Sequence, residues 1–204
     1  LPTLGPYLLP HILPQLRKRH PELRLYLREE PGARLLPELI RGDLDLVVMP
    51  PPDSAEGLVV MPLLTEPFWV ALPLDHALTA RSFLNPADLA GEKLLLLEQG
   101  HCMRDQVLAV CREGGAAENP DFRATSLDSL RQMVATGLGA TLLPALYVAA
   151  EALEDDQIAM RPFADPQPGR SLCLAWRRTT TRGDEFRLFG RLLADNLPNM
   201  VLPV

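Results

Sequence analysis

Cys102 and Cys111 stand nine residues apart in the stretch Gly100 His101 Cys102 Met103 Arg104 Asp105 Gln106 Val107 Leu108 Ala109 Val110 Cys111. Their chemistry is that of thiols: nucleophilic attack, oxidation and disulfide exchange. Gly100 and His101 break the apolar run Leu94 to Leu97, and the residues from Met103 to Cys111 are good helix formers. Cys102 is therefore expected in the first turn of a helix. A helix N-terminus carries partial positive charge and unpaired N–H groups, and His101 and Arg104 stand beside the sulfur in sequence. All three favour thiolate over thiol.

On an unbroken helix nine residues place the two side chains about half a turn out of phase and roughly 13 Å apart along the axis. A disulfide tolerates Cα atoms no more than about 7 Å apart. The pair cannot bridge while the helix is intact. Two readings stay open at this point: a redox switch that remodels the helix, or two cysteines that happen to fall on one helix, one of them buried and inert.

The elements that must position this stretch follow from patterning. Ile12 to Arg19 reads as a helix with a basic end stopped by Pro21, and Leu23 to Glu29 alternates like a strand. Ala33 to Arg41 reads as a helix ended by Gly42, and Asp43 to Met49 as a short strand, a succession that argues for a parallel sheet with helical crossovers. Leu58 to Leu63 and Pro67 to Pro73 are expected as two strands, Asp88 to Gly91 as a helical turn, and Lys93 to Leu97 as a strand buried on both faces. Phe122 to Thr125 is a further strand, and Ser126 caps a helix closed by Gly137. Strand Ala140 to Leu143, helix Ala145 to Glu154, strands Ile158 to Phe163 and Ser171 to Trp176, and helix Asp184 to Asp195 complete the order. Asn196 to Val204 is expected as a mobile tail.

The chain of 204 residues can bury one large domain or two small lobes. Hydrophobic content of 47% and charged content of 23% are ordinary for a globular protein. A net charge of −6 argues against a nucleic-acid surface on this piece, because phosphate binding needs clustered Lys and Arg. No apolar run approaches ~18 residues and no basic region precedes an apolar one at the start, so neither a membrane span nor a signal peptide is expected. Three cysteines are no disulfide framework and point to a reducing cytoplasm, with Cys173 read as structural. There is no CxxC, the four histidines are scattered, and no Walker loop or GxSxG elbow is present, so neither a metal nor a cofactor is expected. Gly137 Leu138 Gly139 follows a helix where a dinucleotide fingerprint must follow a strand. Sulfur chemistry at Cys102 is the candidate that survives.

Pro2 Thr3 Leu4 Gly5 Pro6 Tyr7 Leu8 Leu9 Pro10, Asp88 Leu89 Ala90 Gly91 Glu92 Lys93, Gly100 to Gln106, Phe122 to Arg131 and Gly137 to Pro144 together resemble the regulatory domain of the OxyR group, the peroxide-sensing LysR-type transcriptional regulators. The resemblance covers nearly the whole chain and fades after about Pro144. It implies an α/β fold of two Rossmann-like lobes of periplasmic-binding-protein type joined by two crossing strands. Residues 1–64 and 171–204 would form lobe I, and residues 65–170 lobe II with the redox cysteines.

The resemblance further implies that hydrogen peroxide oxidises Cys102 to a sulfenic acid, which Cys111 captures as a disulfide. The change in conformation and oligomer geometry would then control transcription, without enzymatic turnover. Thr3, His101, Arg104 and Arg170 match residues that line the peroxide pocket or position the peroxide. Pro31 Gly32 stand where many of these proteins carry a second pocket threonine, which implies a different peroxide affinity or rate. The implied partners are a second copy in a dimer, and in the full-length protein a homotetramer, with RNA polymerase, and a glutaredoxin or thioredoxin as reductant. DNA would be contacted through an N-terminal winged helix-turn-helix, and the strand that leads into Pro2 Thr3 would lie upstream of Leu1. A cytoplasmic location with no membrane partner is implied. A small-molecule effector-binding LysR domain and a thiol peroxidase are the alternative readings.

Overall fold

Leu4, Leu8, Ile12 and Leu16 recur every four residues, and this apolar stripe builds the first helix, α1 (Gly5–Arg19). The computed structural model describes Leu1–Pro203. The helix begins at Gly5 rather than at Ile12, with Pro6 in its first turn and Pro10 and Pro14 inside it. Each interior proline removes one hydrogen bond of the helical ladder. Burial of Leu4, Leu8, Ile12 and Leu16 outweighs that loss.

The chain divides into two compact units, Leu1–Glu66 with Ser171–Val204 and Pro67–Arg170. In the first, α2 (Gly32–Arg41) buries Leu35 and Leu39 and ends at Gly42, whose φ of 93° is the left-handed closure that glycine allows. Strand β1 (Leu46–Met49) pairs antiparallel with β7 (Gly169–Arg177), Leu46 facing Trp176 and Met49 facing Cys173. Helix α6 (Gly183–Ala194) sets Phe186 edge-on against Trp176, 6.0 Å between ring centres.

Three expectations fail in this unit. Residues 22–30 do not form a strand; Leu23, Leu25 and Leu27 are exposed, and among the described residues no strand pairs with this segment. The sheet here is accordingly not a parallel one with helical crossovers, since β1 pairs with β7 running the other way. The C-terminus is not a mobile tail: Val201 is buried and β8 (Leu202–Pro203) pairs with Leu64 and Thr65, while Val204 lies outside the described residues.

The two strands expected over 58–73 are one, β2 (Leu58–Pro73), and the chain passes between the units within β2 and again within β7. In the second unit β2 pairs antiparallel with β5 (Thr141–Pro144) and β6 (Ile158–Pro162). Parallel pairing occurs between β3 (Lys93–Leu97) and β4 (Ala117–Ala124), linked by helix α3 (Cys102–Gly114). Helix α4 (Leu127–Ala135) starts at Ser126, whose side chain accepts the Ser129 N–H at 3.1 Å. The helix expected over 145–154 is a short α5 (Ala145–Tyr147) that widens into a π-helical stretch, Val148–Ala152. No helix among the described residues is long and apolar enough to cross a membrane.

Candidate functional site

Leu94 to Leu97 are buried on both faces of β3, and the chain leaves the strand through a turn at Gly100, φ 99°. His101 keeps extended backbone angles and occupies the capping position without donating or accepting through its ring there. Cys102 is then the first helical residue of α3. It is partly exposed, whereas Cys111, nine residues along the same helix, is 1% exposed. All three cysteines are free thiols. At about 1.5 Å per residue, Cys102 and Cys111 lie roughly 13 Å apart along the axis, beyond disulfide reach.

The electrostatics differ from the expectation. Burial pushes the Cys102 thiol above its ordinary range, and this outweighs the pull of the Arg170 guanidinium and of the N–H groups of Met103 and Cys102 itself. The helix terminus acts in the expected direction but does not win. Arg170, 1% exposed at the start of β7, is the side-chain cation that favours the thiolate.

Arg104, expected beside the sulfur, is committed elsewhere. One terminal nitrogen donates to the Leu97 carbonyl at 3.0 Å and the other to the Glu118 carboxylate at 2.6 Å. Glu118 also accepts from Arg123 Nε at 3.3 Å, and the two guanidinium groups hold its carboxyl below the usual range. The Cys111 thiol is pushed up to about 11, by burial first and by the negative charge of Glu118 as well. Cys173, buried on β7, is likewise pushed up to about 11 by burial. Thr3 is 4% exposed within the first unit, while His101, Arg104 and Arg170 belong to the second with Cys102 and Cys111. Among the described residues no cluster of His, Cys, Asp or Glu could hold a metal ion.

Sequence reasoning missed Glu118 and Gly114. Glu118 meets Arg104 because β4 pairs with β3, a register that is not readable along the chain. Gly114 packs so closely on Pro86 that a Cβ there would meet the Pro86 carbonyl oxygen at 2.1 Å. The pair Gly114 Gly115 shortly after the helix formers that run to Cys111 was the available signal.

The LysR substrate binding domain family matches residues 1–198. The chain belongs to that family. This LysR domain is 47% identical over 177 residues to the DNA-binding transcriptional dual regulator OxyR of Escherichia coli K12, covering 87% of this chain and 58% of that protein. The chain thus spans less than two thirds of the length of that curated relative. It is similar to the crystal structure of the reduced form of OxyR, with a TM-score of 0.86 and 39% identity over 97% of this chain and 93% of that one. The oxidised form of OxyR is matched with a TM-score of 0.84 and 42% identity over 96% and 92%. The fold is that of OxyR regulatory domains, periplasmic-binding-protein-like α/β, and the LysR domain has structural relatives named for both redox states.

Proposed function

We propose that this LysR domain senses hydrogen peroxide through Cys102 and Cys111. The observation that carries the reading is one helix with two unlike thiols: Cys102 part-exposed at its first turn under the influence of Arg170, and Cys111 buried nine residues on. The Cys102 thiolate attacks one peroxide oxygen; the O–O bond breaks, the other oxygen leaves as water after taking a proton, and the sulfur is left as a sulfenic acid. The Cys111 sulfur then attacks the Cys102 sulfur, the S–O bond breaks, a second water leaves and a disulfide forms. Two thiols and one peroxide give one disulfide and two waters.

Arg170 favours the attacking thiolate, and His101 and Arg170 are the polar groups proposed to orient the peroxide. For Thr3 the proposal rests on the family resemblance alone. The lobes are taken as residues 1–64 with 171–204 and residues 65–170. In the whole protein the remodelled helix would alter dimer and tetramer contacts, and through a winged helix-turn-helix outside this chain would change DNA binding and the recruitment of RNA polymerase in the cytoplasm. A glutaredoxin or thioredoxin would reset it.

The test is mass spectrometry of the reduced domain after one equivalent of hydrogen peroxide. A Cys102–Cys111 linked peptide is expected, with a sulfenic acid trapped by a dione reagent at Cys102 in the Cys111→Ser variant. Absence of both products refutes the reading. Continued consumption of peroxide with an added dithiol, far beyond one equivalent per chain, would instead identify a thiol peroxidase.

A further inference from the structure

A Cys102–Cys111 bond needs Cα atoms within about 7 Å, whereas nine helical residues span roughly 13 Å, so α3 must unwind between them. The two ends of this helix are held by different means. At the C-terminal end the hold is backbone against backbone. Gly114 lies against Pro86, the Cys111 carbonyl accepts from Gly115 and Ala116, and the Gly115 carbonyl accepts from Gly91 at 3.1 Å.

At the N-terminal end the hold is a side chain. Arg104, the third residue of the helix, ties it to the end of β3 through the Leu97 carbonyl and to β4 through Glu118. A cation in the first turn opposes the helix dipole, so this turn depends on the carboxylate opposite. Gln106, one residue beyond Asp105, buries its Oε1 with no hydrogen-bond partner among the described residues. Unwinding that part of the helix would give this oxygen access to water and remove a cost of the wound state.

We propose that the Arg104–Glu118 ion pair is the latch that keeps the first turns of α3 wound in the reduced domain, and so sets how readily Cys111 captures oxidised Cys102. The inference rests on the peroxide-switch reading. Arg104 and Glu118 act here as positioning residues, whose effect falls on closure of the disulfide and not on the attack by Cys102. Arg123 meets the same carboxylate from a half-exposed side chain at 3.3 Å and is a minor member.

The experiment compares Glu118→Gln, Glu118→Asp and Arg123→Gln with the unaltered chain. Three quantities are read for each: the rate of sulfenic acid formation in the Cys111→Ser background, the rate of disulfide closure after a single peroxide pulse, and the disulfide fraction in thiol redox buffers. Glu118→Gln should close about tenfold faster and shift the equilibrium about tenfold toward disulfide, roughly 30 mV for a two-electron couple. The sulfenic acid rate should stay within about twofold. Glu118→Asp, which keeps the charge but shortens the reach, should shift closure in the same direction by less, and covers the case in which Glu118→Gln does not fold. Arg123→Gln should move nothing by more than about twofold. The latch is refuted if folded Glu118 variants close at the unaltered rate and equilibrium, or if they change the first step instead. An unaltered chain that forms no Cys102–Cys111 bond overturns the switch reading itself, and the latch with it; a normal bond with indistinguishable variants overturns the latch alone.

Discussion

Replacing Gly114 by Ala tests how the Cys111 end of α3 is anchored. The added Cβ would sit 2.1 Å from the Pro86 carbonyl oxygen, 2.8 Å from its carbonyl carbon and 3.4 Å from its Cα. Carbon and oxygen in weak contact stay about 3.3–3.6 Å apart, so the two backbones must separate by roughly 1.2–1.5 Å. No rotamer can absorb the overlap, because every one of these atoms is main chain. Overpacking of this kind costs about 1–3 kcal/mol, and the gain from Gly to Ala in a helix is at most about 1 kcal/mol. It is smaller here because Gly114 is the last residue of α3. The net expectation is a loss of about 1–2 kcal/mol, a fall in Tm of roughly 2–8 °C for a chain of this length. Thermal unfolding of the reduced domain followed by circular dichroism measures it. A Gly114→Ala variant as stable as the parent, or more so, would show that helix propensity governs this position and that the close approach to Pro86 is not a constraint.

Two pH dependences follow from the thiols. Cys102 has its pKa raised above the ordinary 9.0, so its alkylation by iodoacetamide should rise close to tenfold per pH unit from pH 7 to 9; a plateau near neutrality would refute the balance of burial over Arg170. Cys173 titrates near 9 when unfolded and at about 11 when folded. Its buried neutral thiol contributes fully below pH 9, and that contribution is lost as pH rises to 11, by up to about 2–3 kcal/mol. Urea unfolding of Cys173→Val should therefore decline less between pH 9 and 11 than that of the parent, and equal declines would contradict the shift.

The local grammar of α3 was legible in the sequence. The turn at Gly100, the start at Cys102 and the left-handed stop at Gly115 follow from residues that have few other conformational uses. The same holds for Ser126 and Gly42. What was not legible depends on partners distant in sequence. Leu23, Leu25 and Leu27 have the alternation of a strand, yet a strand exists only with a neighbour to bond. The helix is expected only from Ile12 because the local cost of Pro10 is visible along the chain, whereas the burial of Leu8 and Ile12 that offsets it is not. At the site, proximity in sequence put Arg104 beside the sulfur; side-chain direction on the helix and the β3–β4 pairing send it to Glu118.

That difference changes the order of events in the proposed switch. An activated pair of thiolates would react with one another's oxidation products at once, but neither thiol here is activated. Cys102 has a cation nearby and partial exposure, which allow it to ionise to a small extent and meet peroxide. Cys111, at about 11, is almost wholly protonated at neutral pH and out of reach. The cause that raises it most is burial, and burial ends when α3 unwinds. Glu118, the next charge that raises it, is the partner of Arg104 in the wound state. Loss of the helix would therefore bring Cys111 within reach and lower its pKa in one movement. In the proposed switch unwinding must therefore precede capture, because the resolving thiol is made reactive by the same change that delivers it.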